Sequence, residues 1–266
     1  MSQPLPQEPD HQHESAEDAA HIMRGIARRM TPPVGAAFTS HLLYTLGLMR
    51  IVGEVEGAAA VDRAGTGKIH RSGQARADDT IAYFQHWVRH GAASPQAAVS
   101  IDRVQRMHVH YARSYPFSHE TYVHGIALFT LLSDEILTLA GINAFTGREK
   151  AAQVQHWRAI GARMNIRDLP TTWTGMQQAL RDYEQSPQWY RPTPAGRRSA
   201  EALIHQFNHR WLPRPLHRLG RAVLLSLHHD HVLAAIGQDP PPAYLVRLTR
   251  RALRIAYAAQ IRLATR

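Results

Sequence analysis

The stretch SPQAAVSIDRVQRMHVHYARSYP, residues 94–116, reads as one amphipathic helix with both ends marked. Ser94 is an N-cap residue, and Pro95 stands at the first helical position, where its missing N–H is not needed. Ile101, Val104, His108, Tyr111 with Ala112, and Tyr115 recur at i, i+3, i+4 and i+7 on one stripe, whereas Arg103, Arg106, His110 and Arg113 fall off it. Pro116 disfavours helical backbone at Tyr115 and closes the segment. His108 therefore faces the core and His110 faces away. An inward imidazole is either a core histidine bonded to a carbonyl or a ligand to a metal or heme, and periodicity alone favours the first.

Working outward, the helical period recurs on both sides, and almost nothing alternates with the period of a strand. Helices are predicted over 15–30, 34–52, 76–90, 96–113, 119–139, 147–164, 171–185, 195–210, 215–236 and 242–263. The breaks are Pro32-Pro33, Gly91, Gly141 with Gly147, Pro170, Pro192 with Pro194, Pro213 with Pro215, and Pro240 to Pro242. The Gly-rich stretch 53–75 reads as mostly loop. Residues 1–15, rich in Pro, Gln, His and acidic side chains, read as a disordered tail. The expected architecture is all-α, a single globular bundle of about eight to ten helices over residues 16–266.

The chain has 266 residues, 44% of them apolar and 20% charged, enough to bury a core. It lacks Cys, which excludes disulfides, thiolate metal sites, iron–sulfur clusters and cysteine nucleophiles. The net charge of +10 invites a nucleic-acid reading, but all except two of the 31 basic residues, Lys68 and Lys150, are Arg. These are spread along every segment rather than gathered in one arm, so no nucleic-acid partner is expected. The most apolar stretch, 122–145, is interrupted by Ser133, Asp134, Glu135 and Asn143, so no membrane span is expected. The acidic, Pro-rich start has no secretion signal, and a cytoplasmic location is expected.

No GxSxG, P-loop or GxGxxG motif occurs. Gly65-Thr66-Gly67-Lys68 has the look of a phosphate-loop fragment but lacks the upstream Gly, and reads as a flexible loop. His205 and His209 have zinc-ligand spacing without the general base between them. His228 and His231 would share one helical face, but no carboxylate partner for a hydrolytic metal is identifiable. In the helix at 76–90, Arg76, Thr80, Phe84 and Trp87 share a stripe. An Arg opening such a stripe could hold a carboxylate or a heme propionate, or could lie over the surface. The last helix sets Arg247, Arg250, Arg251, Arg254 and Arg262 against Leu245, Leu248, Leu253, Ile255, Tyr257 and Ile261. Its apolar side either packs on the domain or gives peripheral contact with an anionic membrane surface.

The strings RVQRMHVHYARSYPFSHETYVHGIALFTLL (103–132), EKAAQVQHWRAIGARMNIRDLP (149–170) and ALRDYE (179–184), with RADDT (76–80) upstream, together resemble the MpaB-type oxygenase family, which includes the rubber oxygenases, or latex-clearing proteins. The resemblance spans roughly residues 70–185 and implies an all-α fold, a b-type heme, and O2-dependent attack on double bonds of isoprenoid chains. By position, His108 is similar to the His that ligates the heme iron. Arg76 and Thr80 are similar to the Arg and Thr that line the opposite side of the pocket. Three positions depart: Asp79 stands where the rubber oxygenases have Lys, Gln105 stands where an Asn is usual, and no distal base is placed, Glu54 and Glu56 being the carboxylates shortly upstream.

The function this implies is a heme b-dependent oxygenase using O2 on a small apolar substrate, isoprenoid or lipid-like, with His108 as proximal iron ligand and Arg76 and Thr80 on the catalytic side. Met107, Phe84, Trp87, Phe129 and Leu132 are expected as pocket walls. The competing expectation is a cofactor-free helical binding protein that uses an apolar cavity or the basic last helix.

Overall fold

The computed structural model describes residues 15–31 and 35–264, so the expected tail lies, Ser15 apart, outside the described residues. Among the described residues the chain is all-α, with thirteen α-helices, one 3-10 turn at Arg214–Leu216 and no strand. In order these are α1 (Ala16–Met30), α2 (Ala36–Ile51), α3 (Val55–Asp62), α4 (Lys68–Arg71), α5 (Gly73–His90), α6 (Pro95–Ala112) and α7 (His119–Leu139). There follow α8 (Gly147–Arg163), α9 (Trp173–Glu184), α10 (Pro194–Trp211), α11 (His217–Ser226), α12 (Asp230–Ala235) and α13 (Ala243–Ala264).

Local caps explain six of the thirteen helix starts. The hydroxyls of Ser15, Ser94, Ser118, Thr146, Thr172 and Thr193 each accept a backbone N–H from the first turn of the helix they open. Thr146 and Glu149 form a reciprocal capping box on α8. Arg29 at the end of α1 then bonds Glu149 at 2.5 Å, which ties α1 onto α8. The cap of α9 is Thr172, so Pro170 and Thr171 precede the helix rather than open it.

The core centres on α7, which is buried on most of its faces and packs against α2, α8 and α9. By length and composition α7 could cross a membrane, but more than half of its apolar window is buried inside this fold. It is a core helix in this structure.

The helix count exceeds the expected range in two places. The stretch read as loop at 53–75 contains α3 and α4, because Gly53, Gly57 and Gly67 serve close packing rather than freedom. A Cβ at Gly53 would lie 2.5 Å from the Tyr190 ring, and one at Gly57 would collide with the Glu54 carboxylate. The turn between α3 and α4 is also fixed, not flexible. Asp62 accepts from Gly65 N–H at 3.0 Å and pairs with Arg198 at 2.7 Å and His70 at 2.9 Å, while Arg63, Ala64 and Gly65 take left-handed backbone angles. The second place is 215–236, which splits into the 3-10 turn, α11 and α12. His228 lies in the break, so it and His231 do not share a helical face as expected.

Candidate functional site

The stripe predicted on α6 is the one observed. Ile101 and Val104 are buried, His108, Tyr111 and Ala112 are half-buried, and Arg103, Arg106 and His110 are exposed. His108 makes no hydrogen bond among the described residues, and its Nδ1 is buried without a partner. Gln105, one turn earlier on the same face, likewise has a buried Oε1 with no partner. Buried polar groups are in general nearly always paired, and His41, His156 and His228 are other buried imidazoles here with an unpartnered nitrogen. Burial pushes the His108 imidazole down to about 4, and the positive charge of Arg76 adds to the effect. At neutral pH the ring is therefore uncharged, with one ring nitrogen that no group among the described residues uses.

The side chains around His108 come from the start of α7. Phe117 and Tyr122 stand edge-on to its ring, with centroids 6.3 and 6.1 Å away, and contact each other at 5.5 Å. They are the residue before the Ser118 cap and the fourth of the helix, which is the spacing of a hydrophobic staple. That motif was the available signal for them. The reciprocal carboxylate of a capping box comes here from a distance: Glu56 on α3 accepts from Ser118 N–H at 2.7 Å and from the Thr121 hydroxyl at 2.6 Å.

Across from His108, α5 brings Arg76 and Thr80 to one side. Arg76 Nη1 donates to the hydroxyl of Tyr44, a buried residue of α2, at 3.0 Å. The Thr80 hydroxyl donates to the Arg76 carbonyl at 3.0 Å, so its proton is already committed to the helix backbone. Asp79 is exposed and pairs with Lys68 at 2.6 Å on the solvent side of the helix. The structure thus brings His108 and Arg76 within electrostatic reach of each other. The expected walls behave differently. Phe84 stands edge-on to Phe129 and Trp157, which stack on each other, in a cluster within the main core joined by Trp87, and Leu132 is buried in the same core. Met107 is exposed and is not a wall.

A second buried cluster has no counterpart in the sequence reading. Arg50 on α2 holds Glu184 on α9 through Nε at 3.0 Å and Nη2 at 2.7 Å, and also pairs with Glu135 on α7. His124 on α7 is wholly engaged, with Nδ1 2.6 Å from Glu54 and Nε2 3.3 Å from Glu184. His231 reaches Glu184 at 2.8 Å. Burial alone would lower the His124 pKa, but its bonds to Glu184 and Glu54 raise it. Burial lifts Glu54; at Glu184 burial is outweighed by the Arg50 charge together with the bonds from His124 and His231, which hold its carboxyl well below the usual range. The cluster is a closed set of charges that satisfy one another. Residues 50, 54, 124, 184 and 231 are too far apart in sequence for spacing to reveal it.

The remaining histidine pairs form no metal centre. His205 and His209 stack on the exposed face of α10, His228 is buried and His231 is held by Glu184. No group of three His, Asp or Glu able to hold a metal ion occurs among the described residues.

A family model described as ER-bound oxygenase mpaB/B′/rubber oxygenase, catalytic domain, matches residues 33–258. The chain belongs to this family. The match runs from the residues before α2 into α13, so the mpaB/rubber oxygenase catalytic domain includes the His108 site, Arg76, Thr80 and the buried charge cluster alike. A comparison with curated proteins finds no match.

Proposed function

We propose that this member of the mpaB/rubber oxygenase family is a heme b-dependent oxygenase that uses O2 on an apolar substrate of isoprenoid or lipid-like character. The observation that carries the reading is the inward, neutral and unpartnered imidazole of His108 beside a second orphaned polar atom on Gln105. A buried imidazole without a hydrogen bond is costly unless something else takes its lone pair, and an iron atom would do so. The residues fit the group: His108 would hold the iron, and Arg76 would hold an anionic edge such as a propionate.

Bound heme supplies O2 activation, which no side chain of this protein can provide. The protein supplies the setting. Burial and Arg76 keep His108 unprotonated and available as a ligand. Tyr44 fixes the Arg76 guanidinium while leaving its other N–H groups free to donate. Thr80, its proton given to the Arg76 carbonyl, offers acceptor lone pairs and stiffens that turn of α5. Phe117 and Tyr122 stand perpendicular to the His108 ring and shield part of it from solvent.

The visible absorption spectrum of the purified protein, with and without added hemin and beside His108→Ala, tests this reading. A strong Soret band that disappears in His108→Ala at unchanged helical content is the expected outcome. A protein that stays colourless after hemin addition, or that keeps full heme occupancy without His108, would overturn the assignment and leave a cofactor-free binding protein as the better description.

A further inference from the structure

The last helix, α13, is apolar on two faces. Its inner face, with Val246, Leu253 and Tyr257 half-buried, lies on the domain: Arg254 Nε donates to the Ala140 carbonyl at 2.7 Å and Arg250 Nε to the Ser226 carbonyl at 3.1 Å. The apolar residues predicted for one side therefore divide. Leu248 and Ile255 join Tyr244 on the opposite face, at 60%, 61% and 62% exposure, aligned at helical spacing along three turns. An isolated exposed Leu needs no explanation, but a solvent-facing apolar row on an already docked helix does.

The charge around this row is of one sign. The 22 residues of α13 hold five Arg and no Asp or Glu. Arg247 and Arg251 flank the exposed row on one side, both of them exposed. Ala252, Ala256 and Ala259 flank it on the other, and their small side chains let a surface approach the helix closely. The far end of α13 lies against the basic last turn of α1, where Gln260 bonds the Arg29 carbonyl. Among neighbours, the 3-10 turn and α11 add the exposed Leu216 and Leu219. A helix lying in the plane of a membrane interface has this composition: an apolar row to enter the headgroup boundary and basic side chains to meet anionic lipid.

We propose that the outer face of α13 docks this protein on an anionic lipid bilayer. The inference is independent of the heme reading, since none of its residues belongs to the His108 site. The row is short, so docking is reversible and depends on both the apolar and the charged components.

Flotation of the full-length protein with phosphatidylcholine vesicles, with and without phosphatidylglycerol, tests this. The wild type should float with the anionic vesicles, remain free with the neutral ones, and be released by high salt. L248E/I255E should abolish flotation. R247Q/R251Q should weaken it about 30-fold, at about 1 kcal/mol per arginine. Helical content and unfolding midpoint should be unchanged in both, because these side chains face solvent. A wild-type protein that does not float with anionic vesicles, or variants that float as it does, would overturn the proposal. A concentration-dependent dimer that L248E/I255E dissociates, without any vesicle binding, would overturn it in favour of a second copy of the chain as the occupant.

Discussion

Two inward histidines, one on α6 and one on α7, are buried in opposite ways. His124 has a carboxylate at each ring nitrogen, and the Arg50–Glu184 pair completes a network in which every charge has a partner. His108 has no hydrogen bond among the described residues and sits beside two aromatic rings, with the Arg76 cation nearby. His41, His156 and His228 also keep a buried ring nitrogen without a partner, so what distinguishes His108 is its setting, with the orphaned Gln105 Oε1 one turn away and the Phe117 and Tyr122 rings edge-on to it. The paired histidine ties α7 to α9 and to the cap of α3, whereas the unpaired one joins no other element by a hydrogen bond among the described residues.

The largest effect should come from the paired region. Arg50→Ala removes the cation that offsets Glu184 and Glu135 inside the core. Breaking a buried ion pair from one side costs about 3–5 kcal/mol. Chemical denaturation should show a loss of that size. The His108→Ala variant, by contrast, breaks no hydrogen bond and should lose at most about 1 kcal/mol while failing to retain hemin. Equal losses in the two variants would erase the distinction between the sites.

The pH dependence of stability separates the two kinds of histidine next. Burial pushes His41, His108 and His156 down to about 4 and His228 down to about 3. In the unfolded chain each takes up its proton near the ordinary value of 6.5. The unfolded state therefore binds more protons across this window, and stability falls as the pH drops from 6.5 towards 4. Each such histidine contributes about 1.4 kcal/mol per pH unit to the slope. His124 works the other way: its raised pKa gives stability that is fully present below 6.5 and is lost only as the pH rises through the folded value. Urea midpoints measured across this range should fall less steeply in His108→Ala than in the wild type. Parallel profiles would mean that His108 is not held neutral by its surroundings.

The sequence was legible wherever the controlling interaction is local. Ser94, Ser118, Thr146 and Thr193 cap helices within three residues of themselves, so the ends of α6, α7, α8 and α10 could be read directly. The direction of His108 followed from the period of its own helix. What surrounds it did not, because Phe117 and Tyr122 belong to the next helix and Arg76 to the one before. Gly53 and Gly57 misled for a related reason. A glycine that loosens a loop and one that admits a neighbouring ring look the same in sequence, and only the position of Tyr190 tells them apart. The Arg50 cluster joins α2, α7, α9 and α12 with the residue that caps α3, and no periodicity connects those segments.

The smallest expected effect concerns the cation that faces His108. The Tyr44 hydroxyl, anchored in α2, accepts one N–H of Arg76 and limits where the guanidinium can point. Tyr44→Phe keeps the ring and its packing and removes only this bond, at a cost of about 0.5–1.5 kcal/mol. If Arg76 meets an anionic group of the cofactor, a looser guanidinium should weaken hemin binding by about tenfold or less. The Soret band itself should persist, because His108 is untouched. Combining the change with Arg76→Ala isolates the coupling: without the arginine there is nothing for Tyr44 to hold, so Tyr44→Phe should then have no further effect on hemin titrations. The same loss with and without Arg76 would mean that the hydroxyl acts through another group, and the two residues would no longer form one positioned unit opposite His108.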